Sequence, residues 1–210
     1  AMLKYARRKR YLRQFLICLV VMGMEICIVT GLQAYIFVQI DRQEDKKQTT
    51  GRVQEAIWKD LQYFPIPAAY QEEVTYEDSY GAARVQGGHE GCDITDVQNR
   101  EGYLPVISAT DGVITNAGWI YLGGYRVGIT AESGIYYYYA HLASYANGIV
   151  AGKEIHAGQL IGFMGSTGEG EEGTLGKFPV HLHFGIYVTT KNGTEYTVDP
   201  YTYLLKLEER

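Results

Sequence analysis

Hydrophobic and polar positions divide this chain into three regions, and the first is an apolar segment near its start. Residues 15–40 are dominated by apolar side chains, and Glu25 is the only charged residue between Arg13 and Asp41. A helix over this segment reaches about 39 Å at 1.5 Å per residue, which is more than the ~30 Å hydrocarbon layer of a membrane requires. The pattern predicts one transmembrane helix over residues 14–40.

Charge is distributed unevenly on the two sides of the predicted helix. Residues 1–13 carry six basic side chains and no acidic one, whereas residues 41–210 carry 23 of the 24 acidic side chains. The positive-inside rule places the basic tail in the cytoplasm and residues 41–210 outside. A cleaved signal peptide is the alternative, although the apolar stretch is long for one. Glu25 is either a contact for a partner helix or a protonated or snorkelling carboxyl group.

The second region, residues 41–63, is highly charged and carries a helical pattern. Val53, Ile57 and Leu61 recur at the spacing of one helix face, which predicts a short amphipathic stalk or linker helix. The pattern ends at Phe64-Pro65-Ile66-Pro67, where two prolines favour an extended chain.

The third region, residues 64–205, consists of short apolar runs separated by glycines, such as residues 126–130 and 159–164. This pattern is typical of a mainly β domain, and we expect an antiparallel sandwich or barrel-like fold. A helical pattern appears only at residues 203–209, and residues 206–210 are predicted to form a C-terminal tail.

Composition excludes some functions and limits the role of the cysteines. Residues 41–210 hold 13 basic against 23 acidic side chains, which makes this region a poor candidate for binding nucleic acid. The three cysteines form no disulfide pattern. Cys92 is adjacent to Asp93, so it is a candidate zinc ligand. We expect it instead to be a small buried residue that points away from the face carrying Asp93.

The clearest chemical signal is the run Val180-His181-Leu182-His183-Phe184. Apolar residues alternate with histidines, as in a strand, so His181 and His183 lie on one face while Leu182 points into the core. Two imidazoles on one face of a strand are a good basis for a metal site, although paired surface histidines are the alternative.

Further candidate ligands lie earlier in the chain. His89 precedes Asp93 by four residues in a glycine-rich stretch, and His141 follows Tyr139 and Ala140. Together with one histidine of the pair, His89 and Asp93 suit a catalytic zinc that has three protein ligands and an open position for water. The residues alone do not decide which histidine of the pair is the ligand. His156, in a predicted turn, is expected to be a surface residue.

At this point a family resemblance is visible. Residues from about 64 to 205 resemble the lysostaphin/LytM-type zinc metallopeptidases of family M23, which have the duplicated hybrid motif fold. The similar segments occur in the family's order, at residues 64–67, 81–84, 89–94, 109–114, 139–142, 157–162, 165–168, 181–184 and 199–204.

The resemblance implies one Zn²⁺ per chain, with His89, Asp93 and His183 as ligands and with His141 and His181 as the catalytic pair. It implies an endopeptidase that hydrolyses a cross-link or stem peptide of bacterial peptidoglycan. The alternative is a cell-envelope scaffold of the same fold, either an amidase activator or a sporulation engulfment or channel component. Scaffold relatives usually lack a ligand or a catalytic histidine, whereas all five positions are filled here.

The chain departs from the family in the twelve residues that separate Gly168 from His181. They form a longer, acidic, glycine-rich loop, and the part from Glu169 to Lys177 is a candidate partner surface. The loop either lines the cleft, occludes it or binds a partner. With the predicted helix and its flanks, the resemblance places the protein in a bacterial cytoplasmic membrane as a single-pass protein, with the β domain outside.

Overall fold

The computed structural model describes residues 32–33, 35–36, 38–40, 49–84 and 87–209. The chain forms two compact units, residues 1–53 and 54–210. The predicted basic tail lies outside the described residues, as do residues 41–48 and most of the predicted transmembrane segment. The seven described residues of that segment are helical. Among the described residues, no helix combines the length and the apolar character that crossing a membrane requires.

The unit from residue 54 onward is built mainly of strands. Helix α1 covers residues 49–60, a 3-10 helix covers Ala68–Glu73, and helix α2 covers Tyr201–Glu208. The strands are β1 (Val74–Thr75), β2 (Ala83–Arg84), β3 (Gly87–Gly88), β4 (Cys92–Asp96), β5 (Pro105–Ile107), β6 (Gly112–Ile120), β7 (Gly124–Thr130), β8 (Tyr136–Tyr145), β9 (Glu154–Ile155), β10 (Leu160–Met164), β11 (His181–Thr189) and β12 (Glu195–Val198).

Ten strands form one sheet in the order β1-β4-β11-β8-β7-β6-β9. Strand β10 pairs with both β5 and β8, and β12 pairs with β11. Strands β2 and β3 form a separate hairpin. The described pairs are antiparallel, so the prediction of a mainly β, antiparallel fold is confirmed. Two long strands, β8 and β11, lie side by side in the middle of the sheet.

The run of four tyrosines in β8 shows how the two faces of the sheet differ. Tyr137 and Tyr139 are completely buried, and Tyr139 lies 5.2 Å from Phe184 of β11 between ring centroids. Tyr136 and Tyr138 point to the opposite face, which is a cleft. Burying each large side chain of the core face contributes roughly 1.5–3 kcal/mol. Alternation in β8 and β11 therefore separates a hydrophobic core from a polar, aromatic cleft.

The compact unit is larger than the domain predicted to span residues 64–205. Ile57 and Leu61 of the predicted stalk are buried, and the Trp58 ring lies 4.6 Å from the Tyr203 ring. At the other end, Leu207 of α2 is buried. The amphipathic face of α1 thus has a covering partner, which is the physical reason why residues 54–63 and 206–208 belong to this unit.

Candidate metal centre and catalytic cleft

Strand pairing brings the first candidate ligands together. In the β4–β11 pair, His183 lies directly opposite Asp93 and Leu182 lies opposite Ile94. Directly opposed side chains in an antiparallel pair are only about 4.5–5.5 Å apart at Cβ. The Asp93 Oδ1 and His183 Nδ1 atoms accordingly lie 2.9 Å apart. The register of β4 and β11 therefore positions two of the three candidate ligand atoms.

The third atom comes from His89, in the loop before β4. Its main chain is held by Ala82, whose carbonyl accepts from His89 N at 2.9 Å. A glycine at position 91 allows the loop to pass closely, because a Cβ there would lie 2.5 Å from the Phe184 carbonyl oxygen and 2.7 Å from the His183 ring. The structural role of Gly91 is therefore to leave space for the His183 ring.

The donor atoms of His89, Asp93 and His183 converge on one point. His89 Nε2 lies 3.0 Å from both Asp93 Oδ1 and His183 Nδ1. His89 Nδ1 lies 3.0 Å from the Ser79 carbonyl oxygen, which can only accept, so the ring proton of neutral His89 sits on Nδ1. Its Nε2 lone pair then faces a carboxylate oxygen with no proton between them. A cation resolves this repulsion, and two imidazole nitrogens with one carboxylate oxygen suit zinc.

Asp93 is held as an anion from two sides. Burial raises the pKa of its carboxyl, but the adjacent imidazoles of His183 and His89 outweigh burial, and the net pKa lies below the ordinary value. Its other oxygen, Oδ2, accepts from Arg84 Nη2 on the β2–β3 hairpin. Arg84 thus orients the carboxylate, so that Oδ1 is the atom directed at the candidate metal position.

His141 reaches the cleft through a break in the strand pattern. Tyr139 and Leu142 are both fully buried although they are three residues apart, which strict alternation forbids. On β7, Val127 pairs with Tyr139 and Tyr125 pairs with Leu142. Ala140 and His141 of β8 therefore lie opposite Arg126 alone, which is a β-bulge. His141 adopts φ of 63°, which is rare for a residue other than glycine. The bulge turns its side chain from the core face to the cleft face.

The rings of His141 and His181 lie 4.6 Å apart between centroids, and each is oriented by a backbone carbonyl. Thr167 O accepts from His141 Nδ1, and Pro179 O accepts from His181 Nδ1, each at 2.8 Å. In both neutral rings the lone pair is therefore on Nε2. The buried Nε2 of His181 has no hydrogen-bond partner and lies 3.8 Å from Asp93 Oδ1. Both rings thus offer a proton acceptor beside the convergent ligand atoms.

Burial determines the charge state of these two histidines. It lowers the pKa of His141 to about 3 and also lowers the pKa of His181. Both rings are consequently neutral near pH 7. A neutral imidazole with a free Nε2 is the form that can take a proton from water, which is the requirement for a general base.

The long loop over residues 169–180 lines one wall of the cleft. Its Phe178 ring lies 4.6 Å from His141 and 5.0 Å from His181. The Trp119 indole donates to the Gly170 carbonyl at 3.1 Å, which ties the loop to β6. The cleft has a volume of about 1180 Å³, and Glu169 and Phe178 are among its lining residues. Of the three roles considered for the loop, lining the cleft is the one that this geometry favours.

The structure brings His89, Asp93, His141, His181 and His183 into one cleft, and Arg84 contacts Asp93 there. Cys92 is buried on the opposite face of β4, and burial raises the pKa of its thiol to about 12. His156 is exposed and lies 3.5 Å from Asp111. These last two residues take no part in the site.

Sequence reasoning missed the residues that orient the site. Thr167 holds the His141 ring through its carbonyl, and its Oγ1 donates to Leu142 O at 2.7 Å. Asn99 has a left-handed backbone and accepts from Val180 N at 2.7 Å, which fixes the start of β11. Each of these contacts involves a backbone atom, so no sequence pattern indicates it. For Thr167, the Gly165-Ser166-Thr167-Gly168 segment was the available signal.

Comparison with known proteins agrees with this geometry. The sequence model described as peptidase family M23 matches residues 87–200. An L-Ala–D-Glu endopeptidase of Bacillus subtilis (strain 168) is 44% identical over 145 residues, which are 67% of this chain and 42% of that protein. This chain therefore spans less than half the length of that relative.

Two crystal structures are similar to the fold. One, described as a candidate glycyl-glycine endopeptidase LytM of Ruminococcus gnavus, is 49% identical with a TM-score of 0.67, over 73% of this chain and 63% of that chain. The other is the catalytic domain of the antimicrobial peptidase lysostaphin of Staphylococcus simulans. It is 27% identical with a TM-score of 0.51, over 67% of this chain and 98% of that chain.

Proposed function

Because this chain belongs to peptidase family M23, we propose that it is a zinc-dependent endopeptidase that hydrolyses peptide bonds of bacterial peptidoglycan. The observation that carries the proposal is the convergence of three ligand atoms beside two neutral imidazoles in one cleft. Similar proteins are named as L-Ala–D-Glu and glycyl-glycine endopeptidases, which supports a peptide bond as the target.

His89, Asp93 and His183 would hold the zinc through Nε2, Oδ1 and Nδ1. When bound, zinc supplies Lewis acidity that activates water and polarises the scissile carbonyl. Arg84 keeps Asp93 Oδ1 directed at this position by binding Oδ2. The three ligands lie on β4, its preceding loop and β11, so a rigid sheet carries the site.

His141 and His181 would move the proton. Both neutral rings present an Nε2 lone pair, so either can accept a proton from the attacking water. A ring that has taken up this proton becomes a donor. It can then hydrogen-bond the developing oxyanion or deliver the proton to the leaving amine. The hydrogen bonds from Nδ1 to Thr167 and Pro179 keep both rings in position throughout.

The same residues favour an enzyme over a scaffold of this fold. All five site residues are present, and their side chains line a single open cleft of about 1180 Å³. A scaffold needs neither the two oriented proton acceptors nor a site open to a peptide. We therefore retain hydrolysis as the proposed activity.

We also propose that the enzyme is anchored in the bacterial cytoplasmic membrane and acts outside it. The support is the apolar segment over residues 14–40 and the basic residues that precede it. Only residues 41–53 lie between this segment and the catalytic unit along the sequence, so we expect the enzyme to act near the membrane.

The proposed activity is tested by digesting purified peptidoglycan of several cross-link types and identifying released peptides by mass spectrometry. We expect new amino termini to appear with zinc-loaded protein, to disappear after chelation and to return when zinc is restored. Zinc-loaded, folded protein that cleaves no peptidoglycan of any type would contradict the proposed activity and favour the scaffold.

A further inference from the structure

Among the described arginines of the catalytic unit, Arg126 differs from Arg84 and Arg100 in having no anionic partner. Arg84 pairs with Asp93, and Arg100 pairs with Asp96 and Glu73. Within the described part of the chain, no carboxylate forms an ion pair with Arg126. Its Nη1 atom is buried and lacks a hydrogen-bond partner. A buried donor without an acceptor costs free energy, so this guanidinium is prepared for an acceptor that the chain does not supply.

Arg126 is one of the residues that line the catalytic cleft. Arg126 lines the cleft together with Tyr136 and Tyr138, and its charge acts on both hydroxyl groups. Among the described residues, only one other buried side-chain polar atom lacks a partner, His181 Nε2, and it lies in the same cleft. Proton transfer is the proposed role of His181 Nε2, whereas Arg126 Nη1 has no assigned role.

Two glycines leave room for the aromatic neighbours of Arg126 in the cleft. A Cβ at Gly128 would lie 1.9 Å from the Tyr136 hydroxyl, and a Cβ at Gly123 would lie 2.2 Å from the Tyr138 hydroxyl. The Tyr136 ring therefore covers Gly128 of β7, and the Tyr138 hydroxyl lies against Gly123 in the turn before β7. Two tyrosines and the cation of Arg126 thus line the same cleft, which suits a peptide that carries an anionic group.

Strand register gives the position of Arg126 relative to the metal ligands. Ala140 lies opposite His183, and Arg126 lies opposite the bulge at Ala140 and His141. Arg126 on β7 and His183 on β11 are thus separated by two strand spacings, which is about 10 Å measured across the strands. An extended peptide advances roughly 3.3–3.6 Å per residue, so Arg126 can meet a group within about three residues of the scissile bond.

We propose that Arg126 forms a carboxylate-binding subsite that selects peptides with a free carboxylate close to the scissile bond. The planar guanidinium binds a carboxylate through two parallel hydrogen bonds, which gives it both affinity and orientation. This inference rests on the proposed peptidase activity. It assigns Arg126 to substrate selection rather than to the reaction itself. The name of the Bacillus relative contains a D-glutamyl residue, and such a residue carries a carboxylate next to the named bond.

The test uses two stem peptides that contain an L-Ala–D-Glu bond and differ only in the free D-glutamyl carboxylate, which is a carboxamide in the second peptide. Wild type should cleave the acid peptide with a kcat/KM at least tenfold above that of the amide peptide. Arg126→Gln should reduce this ratio to below about twofold, through loss on the acid peptide alone. Arg126→Lys keeps the positive charge but not the planar guanidinium that forms two parallel hydrogen bonds, so it should give an intermediate ratio. Lys153→Gln removes the same charge from an exposed position outside the cleft and should leave the ratio unchanged.

A binding measurement separates failure of this inference from failure of the proposed activity. Metal-free wild type should bind the acid peptide more tightly than the amide peptide in calorimetry, and Arg126→Gln should remove the difference. If wild type cleaves neither peptide, the proposed activity fails, and this binding difference still decides the role of Arg126. Equal binding of the two peptides by wild type, or an acid preference that persists in folded Arg126→Gln, would overturn the subsite.

Discussion

The Nδ1 atom of His141 lies 2.8 Å from the carbonyl oxygen of Thr167, and this contact decides how the ring is used. A carbonyl only accepts, so the ring proton stays on Nδ1 and the lone pair of Nε2 faces the cleft. The left-handed backbone of His141 places the ring there. Left-handed backbone at a residue other than glycine is costly, and such strain concentrates at functional sites.

Replacing His141 by alanine should separate metal binding from hydrolysis. The residue contributes no atom to the His89, Asp93 and His183 cluster, so His141→Ala should retain one zinc per chain. Loss of a general acid–base group should lower kcat by roughly 10²–10⁴-fold. His156→Ala, at an exposed position, is the matched control and should match wild type in both measurements. Unchanged kcat in zinc-loaded His141→Ala would remove the proton-transfer role.

Gly91→Ala should disturb the metal centre without changing a ligand. The added methyl group would lie 2.5 Å from a backbone oxygen of Phe184 and 2.7 Å from the His183 ring. Because backbone atoms there cannot move freely, the His183 ring must move away, and zinc content should fall. Gly88→Ala is the control three residues earlier, at the end of β3, since its methyl group would meet only ordinary contacts at 3.8 Å. Equal zinc content in the two variants would refute the steric argument.

Arg84→Gln should weaken zinc binding through Asp93. Arg84 holds Oδ2, and residues that orient a metal ligand typically contribute 10–100-fold to metal affinity. Competition with a chromophoric chelator should show a loss in this range. Arg126→Gln removes another cleft arginine that does not contact Asp93, and its zinc affinity should equal that of wild type. An Arg84→Gln affinity within about twofold of wild type would show that Asp93 needs no such support.

Asp60→Asn should change how the stability of the metal-free protein depends on pH. Burial raises the pKa of Asp60 from 3.8, although Ser133 and Tyr137 donate hydrogen bonds to its Oδ2. A raised folded-state pKa means that protonation of Asp60 favours the folded state. This contribution is complete below the unfolded pKa and is lost as pH rises through the folded pKa.

The corresponding measurement is urea unfolding of both proteins at several pH values from 3 to 7. The free energy of unfolding of wild type minus that of Asp60→Asn should decrease as pH rises, because the variant has no titrating group at this position. A difference that stays constant or increases with pH would contradict the assigned direction.

Much of the metal centre could be predicted from sequence, because it follows from strand periodicity. The alternation around His181 and His183 placed both rings on one face, and the structure has them there. The position of His141 could not be read in this way, since strict alternation from Tyr139 sends it into the core. The spacing of three between Tyr139 and Leu142, two apolar residues that both enter the core, was the only signal of a bulge.

The boundaries of the compact unit were less accessible to sequence reasoning. The helical spacing of Ile57 and Leu61 predicted an apolar face, but not the element that covers it. In the structure the Trp58 ring packs against the ring of Tyr203 of α2, more than 140 residues later in the chain. Such long-range packing leaves no local pattern. For the same reason the unpaired state of Arg126 became visible only when its neighbours were known.

The central claim is that His89, Asp93 and His183 bind one zinc ion together. Anomalous diffraction from crystals of the zinc-loaded protein, recorded on both sides of the zinc absorption edge, tests it most directly. We predict a single strong peak about 2.0–2.2 Å from His89 Nε2, Asp93 Oδ1 and His183 Nδ1. A peak bound by other residues, or no peak at these three atoms in zinc-saturated crystals, would contradict the claim.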